Sequence, residues 1–161
     1  ILRRVYESAP PADRALIQQQ GLQVGCVLGE EDADAGRKEV LIRSLIGVVE
    51  NQGLAVNTLI QTGQVIQFYV RDAQAASADL HHVLAEKITA MGRPPAGGLL
   101  FSCNGRGRRL FGVPHHDINM VNSLAHDCPV AGFFAEGEIG PVGRRVYIHG
   151  FTSSLVLFRD A

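Results

Sequence analysis

The chain has 161 residues, 46% of them hydrophobic, which fits one domain (1–161) with ample material for a core. Its formal net charge of −1 excludes a global field that gathers nucleic acid or anionic membrane. No apolar run approaches the roughly 20 residues of a membrane span, and ILRRVYES carries no signal-peptide pattern, so a cytoplasmic domain cut from a longer protein is expected.

In chain order, residues 1–20 form a lead-in whose PPADRALIQQQ reads as a short helix, with proline at its start and Gly21 at its stop. LQVGCVL (22–28) is a β-rich run, and the acidic EEDADAG (30–36) a solvated loop. VLIRSLIGVV (40–49), LAVNTLI and QVIQFYV follow as strand candidates. In the last, Ile66, Phe68 and Val70 alternate with Val65, Gln67 and Tyr69. The short glycine-containing breaks across 22–70 predict an antiparallel meander.

From Asp72 to Met91 the period becomes helical: Ala76, Leu80, Val83, Leu84, Ile88 and Met91 mark one face, with Asp72 as N-cap and Gly92 as stop. GGLLFSC (97–103) returns to strand, and the NGRGRRLFGVP loop follows. Ile118, Val121, Leu124 and Ala125 mark another helix, ending near Asp127-Cys128-Pro129. VAGFFA, the turn EGEIGPVG and RRVYIHGFTSSLVLF predict a long closing hairpin. The expected fold class is α+β, with a largely antiparallel sheet and two to three packed helices.

The candidate chemistry lies in the C-terminal third, where ten of the 18 glycines fall between Gly97 and Gly150. Glycines in the NGRG segment let backbone N–H groups converge on an anion, and Arg106 is expected to turn its donor fork inward to a carboxylate while Arg108 and Arg109 face solvent or phosphate-like groups. The segment matches neither a P-loop nor the dinucleotide fingerprint, and an ordinary glycine-rich turn is the plain alternative. Glu136 and Glu138, if extended, share a face and suit an ammonium group or the arginines nearby in sequence; a polar hairpin tip is the alternative. His149 is more often a hydrogen-bonded structural residue than a site residue. The His81-His82 and His115-His116 pairs diverge on either helix or strand, so no metal site is expected.

Three cysteines without paired spacing argue for a reducing compartment. Cys103 ends a strand just before the arginine loop, where its thiol could be activated, and a Cys103–His149–Glu138 nucleophilic set can be drawn. A small buried thiol is the commoner use of that position. Cys26 and Cys128 are expected in or near the core.

GGLLFSCNGRGRRLFG, then HHD, then AGFFAEGEIGPVGRRVYIHGFTSSLVLF closely resemble the C-terminal half of the FIST sensory domain, the family named for F-box and intracellular signal-transduction proteins. The upstream LQVGCVLGE, EVLIRSLIGV and GQVIQFYVRDA agree more loosely, so the resemblance spans roughly residues 10 to 159. It implies a sensory module without enzymatic activity or cofactor, which binds amino acids or related carboxylates. It places family motif positions on Asn104, Gly105, Arg106, Gly107, Glu138, Gly140, Pro141, His149 and Thr152. With Cys103 added and Pro141 left out, these form the expected ligand-binding set. The resemblance also implies that the N-terminal FIST half is missing, a partner in itself. A docking or adaptor module for a signalling protein is the alternative, and a cysteine-dependent enzyme the third. Nucleic-acid binding is not expected, since no aromatic stacking motif or basic stripe accompanies RGRR.

Overall fold

A computed structural model describes residues 1–29, 39–50, 53–126 and 128–160. The acidic 30–36 loop and Asp127 lie outside the described residues, as do two residues of the ENQG break. The chain divides into two compact units, Ile1–Asp72 with Val142–Arg145, and Ala73–Pro141 with Val146–Ala161.

In the first unit, α1 (Leu2–Ser8) and α2 (Pro11–Gln20) precede β1 (Leu22–Val27), β2 (Val40–Val49), β3 (Gly53–Val56) and β4 (Ile66–Val70). Pro11 opens α2, where its missing N–H leaves nothing unsatisfied, and Gly21 at φ +74° ends it. The strands are antiparallel in the order β3-β2-β1-β4. The expected meander therefore holds for β1 to β3, but β4 returns beside β1, a Greek-key order. Central β1 is buried through Gln23–Cys26, and at Gly25 any Cβ would overlap the Tyr69 ring.

The second unit comprises α3 (Ala73–Met91), β5 (Gly97–Cys103), α4 (Arg108–Phe111), α5 (His116–Ala125), β6 (Val130–Ala135), β9 (Ser153–Phe158), and β7 (Glu138–Val142) and β8 (Arg145–His149) apart from their end residues Val142 and Arg145. Leu84 of α3, Leu100 of β5, Val121 and Ala125 of α5, and Cys128 make its core, with Leu80, Ile88, Ile118 and Leu124 against them. Of the apolar stripe read on residues 72–91, Leu80, Leu84 and Ile88 lie on the face that α3 buries, whereas Val83 is exposed. Each fully buried aliphatic side chain stabilises by about 1.5–3 kcal/mol.

The fold is α+β, and four of the five registered strand pairs are antiparallel. The exception corrects one expectation. VAGFFA does not form a hairpin with the closing run; β6 lies parallel to β5, with Phe101 opposite Phe133, and β9 flanks β5 antiparallel on the other side. The intervening α5 provides the crossover that parallel strands require. The closing run itself breaks at Gly150–Thr152, where Phe151 has φ +64°, into β8 and β9; β8 pairs with β7 in a separate two-stranded sheet. The β5–α5–β6 unit brings the NGRG loop and the first turn of α5 to the carboxyl end of β5, where parallel strands characteristically leave a ligand crevice.

Candidate functional site

The NGRG loop turns back at once: the Arg106 N–H donates to the Cys103 carbonyl at 2.8 Å and the Asn104 N–H to the Ala135 carbonyl at 2.8 Å. The turn sends Arg106 inward, 6% exposed, while Arg108 and Arg109 are exposed. Its fork meets a protein carboxylate. Arg106 Nε donates to Asp117 Oδ2 at 2.8 Å and Nη2 to Oδ1 at 3.0 Å. Ser102 of β5 donates to Oδ2 at 3.0 Å, and His116 Nδ1 lies 2.9 Å from Oδ1. A carboxylate only accepts, so the His116 proton sits on Nδ1; Nε2 is 2.7 Å from the Ser77 hydroxyl of α3. The His116 ring stacks on Phe111 with centroids 3.5 Å apart, and the Arg106 guanidinium lies 5.3 Å from the centre of the same ring. Burial pushes the Asp117 carboxyl up, but the hydrogen bonds from Arg106, His116 and Ser102, with the Arg106 charge, outweigh it and hold it below its ordinary range.

Beside this ion pair lies a cavity of about 230 Å³. The first turn of α5 (His115 to Ile118), Arg106 and Gly107, Leu100 and Ser102, and β6 from Val130 to Phe134 line it. His115, the α5 N-cap, holds φ +59° and makes no side-chain cap bond. The leading N–H groups of a helix have no intrahelical acceptor and favour an anion.

A second polar cluster forms at β7. Glu138 is 2% exposed; its Oε2 accepts the Thr152 hydroxyl at 2.9 Å, and its Oε1 has no hydrogen-bond partner among the described residues. The Cys103 N–H donates to the Thr152 carbonyl at 2.9 Å, so the positive-φ Phe151 sets the residue that joins β5 to Glu138. His149 Nε2 donates to the Gly140 carbonyl at 3.0 Å. Thr152→Val should lower stability by about 1–3 kcal/mol, because it strips the buried Glu138 carboxylate of the Thr152 hydrogen bond. Urea unfolding at constant slope checks this; an unchanged midpoint would show that water already serves Glu138.

Of the residues selected from sequence, Arg106 and Gly107 line the cavity, while Cys103, Asn104, Gly105, Glu138, Gly140, His149 and Thr152 do not. Glu138 and Thr152 are brought together, as are Gly140 and His149. Glu136 is exposed and Glu138 buried, so the two carboxylates do not share a face. No hydrogen bond among the described residues joins any two of Cys103, His149 and Glu138. Among the described residues no group of three or more His, Cys, Asp or Glu could hold a metal ion. Sequence reasoning missed Asp117, Ser102 and Ser77; an acid in the first turn after a histidine pair was the available signal for Asp117.

All three thiols are free and buried. Burial pushes Cys26 and Cys128 up, with Arg43 opposing in part at Cys26, whereas the Cys103 sulfur accepts the Gly105 N–H at 3.5 Å. Cys103 should therefore alkylate first under native conditions. Peptide mapping after partial labelling checks the order, and earlier labelling of Cys26 or Cys128 would refute it.

These features define a module with a cavity at the end of a βαβ unit. The chain belongs to the FIST C domain family, which matches residues 2–141. It is 43% identical over 160 residues to the uncharacterized proteins MT0656 and Rv0628c of two Mycobacterium tuberculosis strains, and equally to Mb0898c of Mycobacterium bovis. The matches cover 99% of this chain but 42%, 42% and 41% of those proteins, so the chain spans about two fifths of the curated relatives' length. Membership makes it a sensory domain of the signal-transduction class. No helix among the described residues is long and apolar enough to cross a membrane.

Proposed function

We propose that the chain is the ligand-binding part of a cytoplasmic signal-transduction protein, without enzymatic activity, and that its ligand is an amino acid or related carboxylate held in the cavity at the first turn of α5. One observation carries this reading. Arg106 gives Nε and Nη2 to Asp117, while Nη1 has no hydrogen bond among the described residues, and Arg106 lines the cavity with the helix N-terminus. Leu100, Ile118, Val130, Phe133 and Phe134 give the ligand an apolar wall. Glu138 lies outside the lining, so the support is for the carboxylate end of the ligand rather than for an ammonium group. The free thiols suit a reducing compartment. The remainder of a longer chain, the N-terminal FIST half, is the proposed partner.

The test is a thermal-shift and calorimetric comparison of apolar amino acids and organic acids with their primary amides. A ligand at ~100 times its dissociation constant adds about 2.7 kcal/mol of stability. Amides should bind at least ~10-fold more weakly, for loss of the charge-assisted bonds. Equal binding of acids and amides, or no binding by any acid, would sink the reading. The docking alternative has its own support, since Phe133 and Phe134 are 66% and 55% exposed.

A further inference from the structure

We infer that the cavity receives the free carboxyl terminus of a peptide, whose backbone lies along the open edge of β6 as an added strand. The inference rests on the carboxylate reading above and narrows it to one ligand class. Five consecutive residues of β6, Val130 to Phe134, line the cavity. Successive side chains of a strand point to opposite faces, so a hollow over one face would touch only alternate residues. The cavity touches all five, and of β5 the alternate Leu100 and Ser102, so it spreads from the face of β5 that α5 covers across β6 to its outer edge.

That edge is open. β6 pairs with β5 on one side, and among the described residues no strand pairs with its other side. Edge strands are usually blunted by charge, proline or a bulge, and VAGFFA carries none of these. Ala131, Gly132, Phe133 and Phe134 are all exposed. An unpaired, uncharged strand edge is a template for an extended peptide, whose main chain supplies the hydrogen bonds and whose alternate side chains fill pockets.

The groove has a polar end. β6 runs parallel to β5 toward the NGRG loop, with Ala135 opposite Cys103, and Gly107 faces the Phe134 ring there. Arg106 and the α5 N-terminus line the groove at that loop. A peptide whose carboxylate reaches them runs in the same direction as β6, continuing the parallel pairing of β5 and β6. Its last side chain meets Leu100, Ile118 and Phe134, which calls for an apolar C-terminal residue. A free amino acid would satisfy only the polar end and leave the edge unpaired.

Four probes separate the possibilities: N-acetylphenylalanine, N-acetyl-Ala-Ala-Phe with a free carboxyl group, the same tripeptide as its C-terminal amide, and the same tripeptide N-methylated at its internal amides. Calorimetry should give the tripeptide acid at least ~10-fold tighter binding than N-acetylphenylalanine, and a similar loss on N-methylation. The amide should lose at least ~10-fold. Hydrogen exchange of β6 amides should slow with the tripeptide acid and not with N-acetylphenylalanine. Should N-acetylphenylalanine match the tripeptide and N-methylation change nothing, the peptide inference falls while the carboxylate reading stands. Equal binding of the tripeptide acid and amide overturns the carboxylate reading as well, and absence of binding by every probe overturns both.

Discussion

Asp117→Ala is expected to destabilise the second unit by about 3–5 kcal/mol, the cost of leaving a buried charge without its partner. The partner is Arg106, 6% exposed, which directs Nε and Nη2 at the two carboxylate oxygens. The same substitution also removes the acceptor of the Ser102 hydroxyl and of His116 Nδ1, so β5, α5 and the loop lose one common anchor. Arg106→Lys keeps the charge but cannot reproduce the two-pronged contact, and should fall between the parent and Asp117→Ala. Urea unfolding at constant slope measures the series. A midpoint for Asp117→Ala within error of the parent would mean that Arg106 reaches water and that the ion pair is not closed.

The sign of the pH dependence follows from the depressed Asp117 carboxyl. Its ordinary value is 3.8, and in the folded chain it is lower. A group with a depressed folded pKa contributes stability that is fully present above its unfolded pKa and is lost as pH falls through the folded one. The stability gap between the parent and Asp117→Asn should accordingly be largest near neutral pH. It should begin to narrow below about pH 5 and continue to close as acid protonates Asp117 in the folded state. A gap that widened in acid would reverse the assignment of charge.

What could be read from the sequence was what depends on near neighbours. The period of Leu80, Leu84 and Ile88 gives the buried face of α3, and the glycines around Arg106 give a turn that sends its side chain inward while Arg108 and Arg109 stay out. The partner of Arg106 was not legible, because Asp117 is eleven residues away across a loop and a short helix, and nothing local marks the contact. Ser77 is still farther, 39 residues from His116, and only the packing of α3 beside α5 joins them. The parallel pairing of β6 was hidden for a related reason: VAGFFA and the closing run look like hairpin partners in composition, and only the length of α5 as a crossover argues otherwise. Glu138 was legible as a special carboxylate, but its surroundings depend on the break at Phe151, a non-glycine residue in a conformation that sequence does not announce.

Gly132→Ala should be the most damaging small substitution in the chain, lowering stability by about 3 kcal/mol or more. Gly132 lies opposite Leu100 in the parallel β5–β6 register. A Cβ built there would overlap the Leu100 carbonyl oxygen and come within 2.7 Å of the carbonyl carbon. Backbone cannot swing aside as a side chain can, so the methyl group has to part the two strands. Parting them removes the wall of the cavity and pulls at Leu100, which is part of the core with Leu84 and Val121. Gly107→Ala is the matched control. Among the described residues its added methyl would meet only the Phe134 ring, at 3.8 Å, and its φ of −61° suits any residue. It should shift stability by no more than about 0.5 kcal/mol. Urea unfolding of the two variants beside the parent decides the matter: equal midpoints for Gly132→Ala and Gly107→Ala would mean that β5 and β6 are not paired in this register, and the groove along β6 would fall with it.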